Sequence, residues 1–211
     1  MDYSKYQVLE FRRQFFKIFG ATISIYEPAG NALVGYIKMA AFRLRRDIRV
    51  FTDATMQHEL VRIGGRRVVS FKPMYDVFDS HTGQQLMTLR FRMLKTYTAR
   101  GHIDLLDTQG NPYGYVQETS SQLAIVRRWI GVIPVVGPFA ELALAFVPQT
   151  FDIAYAPNGA TPQLAGKIMH RKNPVIVKMS LDTTQAQARL DPRVSIAVCS
   201  LLSILDANKN A

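Results

Sequence analysis

The sequence predicts a mainly β chain: a closed antiparallel barrel of about twelve strands, read as six hairpins, around a buried hydrophobic C-terminal helix. Three observations carry this expectation. Short alternating runs of apolar and polar residues recur in pairs about polar turns. The turns fall at nearly regular intervals. The chain then closes on a helical run with no polar stripe.

The first pair, "ISIYEPAGNALVGYI", turns at Glu27–Gly30. The pattern returns as "IRVFTDATMQHELVRI", "YDVFDSHTGQQLMTLRF", "IDLLDTQGNPYGYVQ" and "FDIAYAPNGATPQLAGKI". Each is two period-2 segments about a turn, the pattern of a half-buried hairpin. Gly30, Gly83, Gly110 and Gly159 stand where a turn calls for positive φ. A sixth unit opens at "VIVKMSLDTTQAQARL".

The turns near residues 30, 55, 83 and 110 are about 25–28 residues apart, but the next comes at Gly159. The excess of roughly 22 residues falls on one apolar stretch. The chain therefore reads as one domain over 1–211, with an insertion at about 129–149. Closure into a barrel leaves no edge strand exposed.

In "DPRVSIAVCSLLSILDANKN", Asp191 suits an N-cap and Pro192 the first helical position. Apolar and small residues then run from Val194 to Leu205. A helix hydrophobic all round must be buried all round. Its apolar run rises about 18 Å, short of the roughly 30 Å of a bilayer core. It is expected to fill the lumen of the barrel.

Composition fits an ordered globular chain, with 48% hydrophobic and 20% charged residues. The one cysteine, Cys199, excludes an internal disulfide and a multi-cysteine metal site and suits a reducing compartment. The opening "MDYSKYQVLEFRRQFFKIF" lacks a charge-free apolar core, so no secretory signal is expected. The net charge of +10 favours polyanionic partners, either nucleic acid or an anionic membrane face.

Hairpins followed by a hydrophobic terminal helix resemble the tubby-like barrel, shared by tubby C-terminal domains, phospholipid scramblases and LURP-one-related proteins. The likeness in layout runs from Tyr6 to Ala207. It is most specific in "YDVFDSHTGQQLMTLRFR", "IDLLDTQGNPYGYV" and the ending "VIVKMSLDTTQAQARLDPRVSIAVCSLLSILDA". That ending is similar to scramblase and LURP-one-related chains more than to tubby itself. The resemblance implies phosphoinositide binding by basic strand residues, or lipid movement coupled to calcium. Against the latter, "LDTTQAQARLD" offers only Asp182 and Asp191, with Arg189 between them. Calcium takes six to eight oxygen ligands, so that stretch is a poor site. The proline-rich extension and cysteine cluster of many scramblases are absent from this sequence.

Catalytic motifs are not found. The histidines, His58, His81, His102 and His170, have no metal spacing, and no GxSxG, Walker or GxGxxG element follows a strand. Asp79 and His81 share the turn "FDSHTG" and read as turn chemistry, as do Asp107 and Glu27. Cys199 reads as a small core hydrophobe. No enzyme, cofactor or metal is expected.

Basic residues are the stronger signal. "FRLRRDIRVF" sets Arg43 and Arg45 on one strand face, followed by Arg46 and Arg49. "LRFRMLK" repeats the device with Arg90 and Arg92, and "IGGRRVVSFK" adds Arg66 and Arg67. These read either as a solvated outer face or as a phosphate-headgroup patch. The patch is favoured because 17 of the 26 bases are arginine, the better bidentate phosphate ligand. The aromatics fall in inward registers, which disfavours nucleic acid.

The insertion, "WIGVIPVVGPFAELALAFV", follows Arg127 and Arg128. Pro134, Pro138, Gly131, Gly137 and Glu141 argue against a membrane span. It reads as a lid or subunit contact, or as an in-plane membrane wedge built on Trp129, Ile130, Ile133, Phe139, Leu142, Leu144 and Phe146. The expectation is a cytoplasmic, non-enzymatic protein attached peripherally to anionic phospholipid membrane. The alternative is a soluble interaction module, a homo-oligomer through 129–147, with DNA binding an outlying third reading.

Overall fold

The computed structural model describes residues 3–13, 22–39, 47–66, 73–92, 102–119, 149–171 and 178–207. Twelve antiparallel strands close a barrel among them. They are β1 (Val8–Arg13), β2 (Thr22–Glu27), β3 (Ala32–Met39), β4 (Asp47–Phe51), β5 (Glu59–Gly65) and β6 (Met74–Asp79). Then come β7 (Gln85–Phe91), β8 (His102–Leu106), β9 (Pro112–Glu118), β10 (Gln149–Tyr155), β11 (Gln163–Arg171) and β12 (Lys178–Asp182). Each strand pairs with its neighbours in sequence, and β1 pairs with β12 to close the ring, Val8 opposite Asp182.

Five hairpins match the five clear sequence units. The sixth unit holds one strand, β12, and its partner β1 comes from the start of the chain. β10 opens at Gln149, the last residue assigned to the insertion.

The hairpins share a device. In β2, β4, β6, β8 and β10 the register shifts after Ile25, Val50, Val77, Leu105 and Ile153 respectively. Each shift leaves an extra residue in the following strand: Val34, Leu60, Leu86, Tyr113 or Ala165. Such bulges bend a strand pair and increase its twist, which a small closed barrel requires. Glycine follows the extra residue where the backbones crowd. A Cβ on Gly114 would collide with the Ala154 carbonyl oxygen, and one on Gly35 would lie 2.9 Å from that of Phe51.

The turns correct one sequence expectation. Gly83, Gly110 and Gly159 do have positive φ, but at the first turn Asn31 takes it (48°) instead of Gly30. Asparagine tolerates the left-handed region, so glycine is not required there. Gly30 instead donates its N–H to Glu27 Oε2 at 2.7 Å.

The lumen is apolar. Phe11, Ile25, Ile37, Ile63, Leu89, Leu105 and Ile168 point inward from their strands, each at most 1% exposed. The helix α1 (Pro192–Ala207) fills the space, packing on β1 and β12 and on β4–β7 across the barrel. Val194 to Leu201 are buried without a break, so no face of this run meets solvent. Asp191 caps the helix: its Oδ1 accepts the Arg193 N–H at 2.9 Å, with Pro192 at the first position. Cys199 lies in this core, where burial pushes its thiol pKa well up.

No helix among the described residues is long and apolar enough to cross a membrane. Leu33 is the one exposed large hydrophobic side chain among them. An apolar lumen and a charged outer face reverse the polarity of a porin-like barrel.

Candidate functional site

The described arginines of the basic strands do not stand alone. Period-2 geometry turns Asp47, Asp76 and Asp104 outward between them. Arg49 Nη2 lies 3.3 Å from Asp47 Oδ2, and Arg62 Nε donates to Asp47 Oδ1 at 3.1 Å. Arg49 also reaches Glu59 at 3.3 Å. Arg66 Nε donates to Asp76 Oδ2 at 2.6 Å, while the buried Thr88 hydroxyl donates to Asp76 Oδ1 at 2.7 Å. Arg90 and Arg92 both donate Nε–H to Asp104 Oδ2 at 2.9 Å.

Burial alone would raise the pKa of Asp47 and Asp104. Hydrogen bonds and charge from their paired arginines outweigh it, and both carboxyls sit below their usual range. His102 Nε2 lies 3.0 Å from Asp104, and its ring stacks on Tyr115. Burial lowers the His102 pKa despite that carboxylate.

This arrangement takes up much of the strand-face charge, and it escaped the sequence reading. The signal was available. An Asp stands in the same place in "YDVFDS", "IDLLDT" and "FDIAYA", one residue before the inward residue at the bulge.

Charge is instead sorted along the barrel axis. Hairpin turns gather at one end, the turn end, and the connections after β1, β3, β5, β7, β9 and β11 leave from the other, the connection end. Described bases towards the connection end are Arg13, Lys38, Arg66, Arg90, Arg92, Arg171 and Lys178, against Asp47, Asp76, Asp104, Glu118 and, in the last turn of α1, Asp206. The turn end reverses this. Glu27, Asp53, Glu59, Asp79, Asp107, Asp182 and Asp191 face Lys5, Arg189 and Arg193 there. The sequences of the six connections, 14–21, 40–46, 67–72, 93–101, 120–148 and 172–177, add eleven bases and a single acid, Glu141.

A cleft of about 1110 Å³ lies at the turn end. It is lined by Tyr3, His58, Glu59, Asp79, His81 and Arg193 among others. Its carboxylates already have internal partners. Asp79 accepts the His81 N–H at 2.9 Å, the Thr82 hydroxyl at 3.0 Å and Arg193 Nη1 at 2.8 Å. Arg193 also reaches Asp191 at 2.6 Å, so it ties the start of α1 to the β6–β7 turn. Ser80 donates to Glu59 at 2.7 Å. This geometry holds turns and a helix cap.

Asp107 and Glu27 are turn residues as well, accepting the N–H of Asn111 at 2.8 Å and of Gly30 at 2.7 Å. Asp182 accepts the Thr184 N–H at 2.9 Å and its hydroxyl at 2.6 Å.

Of the residues singled out by sequence, Arg49, Arg66, Arg90 and Arg92 are placed on the outer face. Arg43, Arg45, Arg46, Arg67, Arg127 and Arg128 lie outside the described residues, as do Trp129, Ile130, Ile133, Phe139, Leu142, Leu144 and Phe146. The strand ends that flank the insertion, Thr119 and Gln149, are described, and Thr119 N donates to Thr150 O at 2.8 Å. Both lie at the connection end. No family model, curated protein or solved structure matches this chain.

Proposed function

We propose that this chain is a tubby-like barrel of the scramblase and LURP-one-related kind. It acts as a non-enzymatic, cytoplasmic protein that attaches peripherally to anionic membrane. Its ligands are phospholipid or phosphoinositide headgroups, held by basic residues, with the apolar insertion entering the interface. One observation carries the reading: the strand ends that launch and receive the insertion belong to the base-rich end of the barrel. An apolar segment and a basic surround are the two signals that together give stable peripheral attachment. Each Lys or Arg near an anionic leaflet contributes about 1 kcal/mol.

The test is co-sedimentation with vesicles of phosphatidylcholine alone and of phosphatidylcholine with phosphatidylserine, paired with size-exclusion chromatography. Binding that requires the anionic lipid supports the proposal. A protein that ignores both vesicles and elutes as a discrete oligomer, and as a monomer once 131–147 is replaced by a linker, is an interaction module instead.

A further inference from the structure

We infer that the mouth of the barrel beside the start of α1 binds a small monocarboxylate with an apolar body. The site is built wholly from described residues and stands apart from the membrane reading.

A cavity of about 590 Å³ opens there, between the N-terminal turn Tyr3–Lys5, β1, β11, β12 and the first turns of α1. That size lies within the roughly 300–1,000 Å³ of small-molecule sites. The sequence leaves the space by setting small residues where the wall closes: Ala165, the extra residue at the β11 bulge, with Ala186, Ala188 and Ser195. Leu9, Leu181 and Ile196 give it an apolar floor. Its outer wall is the start of the chain. That wall is fixed where the Tyr3 hydroxyl donates to the Val34 carbonyl, and where the Thr183 N–H donates to the Gln7 carbonyl at 2.8 Å.

Two polar groups of this lining are unused. Ser195 is only 3% exposed, yet its hydroxyl makes no hydrogen bond among the described residues. Ser203, on the same helix, shows the alternative by donating to the Cys199 carbonyl at 2.8 Å. A buried hydroxyl is normally partnered, so this one calls for a group within the cavity. Arg189 is exposed and also lacks a partner among the described residues. Its acidic neighbours in sequence are engaged elsewhere: Asp182 accepts from Thr184 at 2.6 Å and Asp191 pairs with Arg193 at 2.6 Å.

These groups select the ligand. Arg189 is the one charged side chain among the lining residues, which matches a single negative charge, and its planar fork suits a carboxylate. A phosphate monoester brings more charge and more oxygens, and would need further donors. The start of α1 does not supply them. Pro192 has no N–H, and those of Arg193, Val194 and Ser195 already go to Asp191. The adjoining cleft suits an anion less, because Glu59, Asp79 and Asp191 line it. In the smaller cavity the carboxylate is held by Arg189 and the Ser195 hydroxyl, and the apolar body lies on the floor.

The probe is decanoate, kept below micelle formation and titrated calorimetrically into the full chain, with methyl spectra of its leucines and isoleucines recorded alongside. Saturable binding should shift Leu181 and Ile196 and leave Ile63 and Leu89, on β5 and β7, in place. Arg189→Gln should weaken binding about tenfold, the loss of one charge-assisted bond, and Ser195→Ala should weaken it several-fold. Ala186→Trp should abolish binding by filling the mouth. Arg189 and Ala186 are both exposed, so these two variants should keep the urea midpoint of the parent chain. Decan-1-ol, without the carboxylate, should bind about tenfold more weakly than decanoate. Absence of decanoate binding, or binding that leaves Leu181 and Ile196 unshifted, overturns the site. Affinity unchanged in both Arg189→Gln and Ala186→Trp overturns it as well. Decyl phosphate binding more tightly than decanoate overturns the ligand class. Vesicle sedimentation enters none of these outcomes, so the site and the membrane reading fail separately.

Discussion

Leu201 is the most direct probe of the buried helix. Its side chain is 0% exposed, in the cluster where α1 meets the inward faces of the strands. Leu201→Ala removes three carbons, which at about 0.8 kcal/mol per buried CH₂ is roughly 2.4 kcal/mol of transfer free energy. The surrounding wall is closed and hydrogen-bonded around its full circumference, so it cannot collapse into the space left. A cavity contribution is added, and the expected loss is about 3–4 kcal/mol. Urea unfolding reads this directly. With a slope of about 2–3 kcal/mol per M, the midpoint should fall by roughly 1–2 M with no change in slope.

Leu202, one residue along and only partly buried, supplies the internal comparison; its change to alanine should cost less than half as much. Leu201→Asp buries an unpaired charge and should prevent folding. Equal effects at 201 and 202, or a chain ending at Asp191 that unfolds cooperatively, would refute the placement of the helix in the core.

Other outcomes follow from the same geometry. Gly114→Ala forces the β9 backbone away from the Ala154 carbonyl and should destabilise by about 1–3 kcal/mol, seen in the same urea assay. Asp47 and Asp104 have folded-state pKa values below the unfolded aspartate value of about 3.9. Their stabilisation is therefore present above pH 4 and lost as pH falls through the folded values. In Asp104→Asn, acid-induced unfolding should begin from a lower starting stability and show a shallower pH dependence below pH 4; an unchanged profile would contradict this. Calorimetric titration with calcium should show no binding in the micromolar range, because Asp182 and Asp191 are occupied by Thr184 and Arg193.

The hairpins were legible because one face of each strand is buried, and burial of one face writes period-2 alternation into the sequence. The helix was legible for the opposite reason: burial on every side removes the polar stripe that a surface helix keeps. β1 was not legible as the twelfth strand. "VLEFRR" has no turn-linked partner beside it, and its mate β12 lies at the other end of the chain. Asn31 and Gly30 exchanged roles because two adjacent residues both suit a turn, and only backbone geometry separates them.

The basic residues were readable as types and positions, but their environment was not. Whether an outward arginine meets solvent or a carboxylate depends on cross-strand register. The pairing of Arg90 with Asp104 joins neighbouring strands through a register that local sequence does not set. The axial sorting of charge has the same origin, since it emerges only when alternate connections are known to share an end.

The measurement closest to the central claim crosses the insertion with salt. The full chain and a variant with a Gly/Ser linker in place of 131–147 are sedimented with phosphatidylserine-containing vesicles at about 0.15 M salt and again at about 0.5 M. Both proteins should unfold cooperatively, because shortening a connection alters closure entropy only slightly. The full chain should keep a substantial bound fraction at high salt, since burial of apolar surface is not screened. The linker variant should bind weakly at low salt and lose even that at high salt, its remaining attraction being charge alone. Vesicle binding that is the same with and without the insertion, at both salt concentrations, would contradict the account.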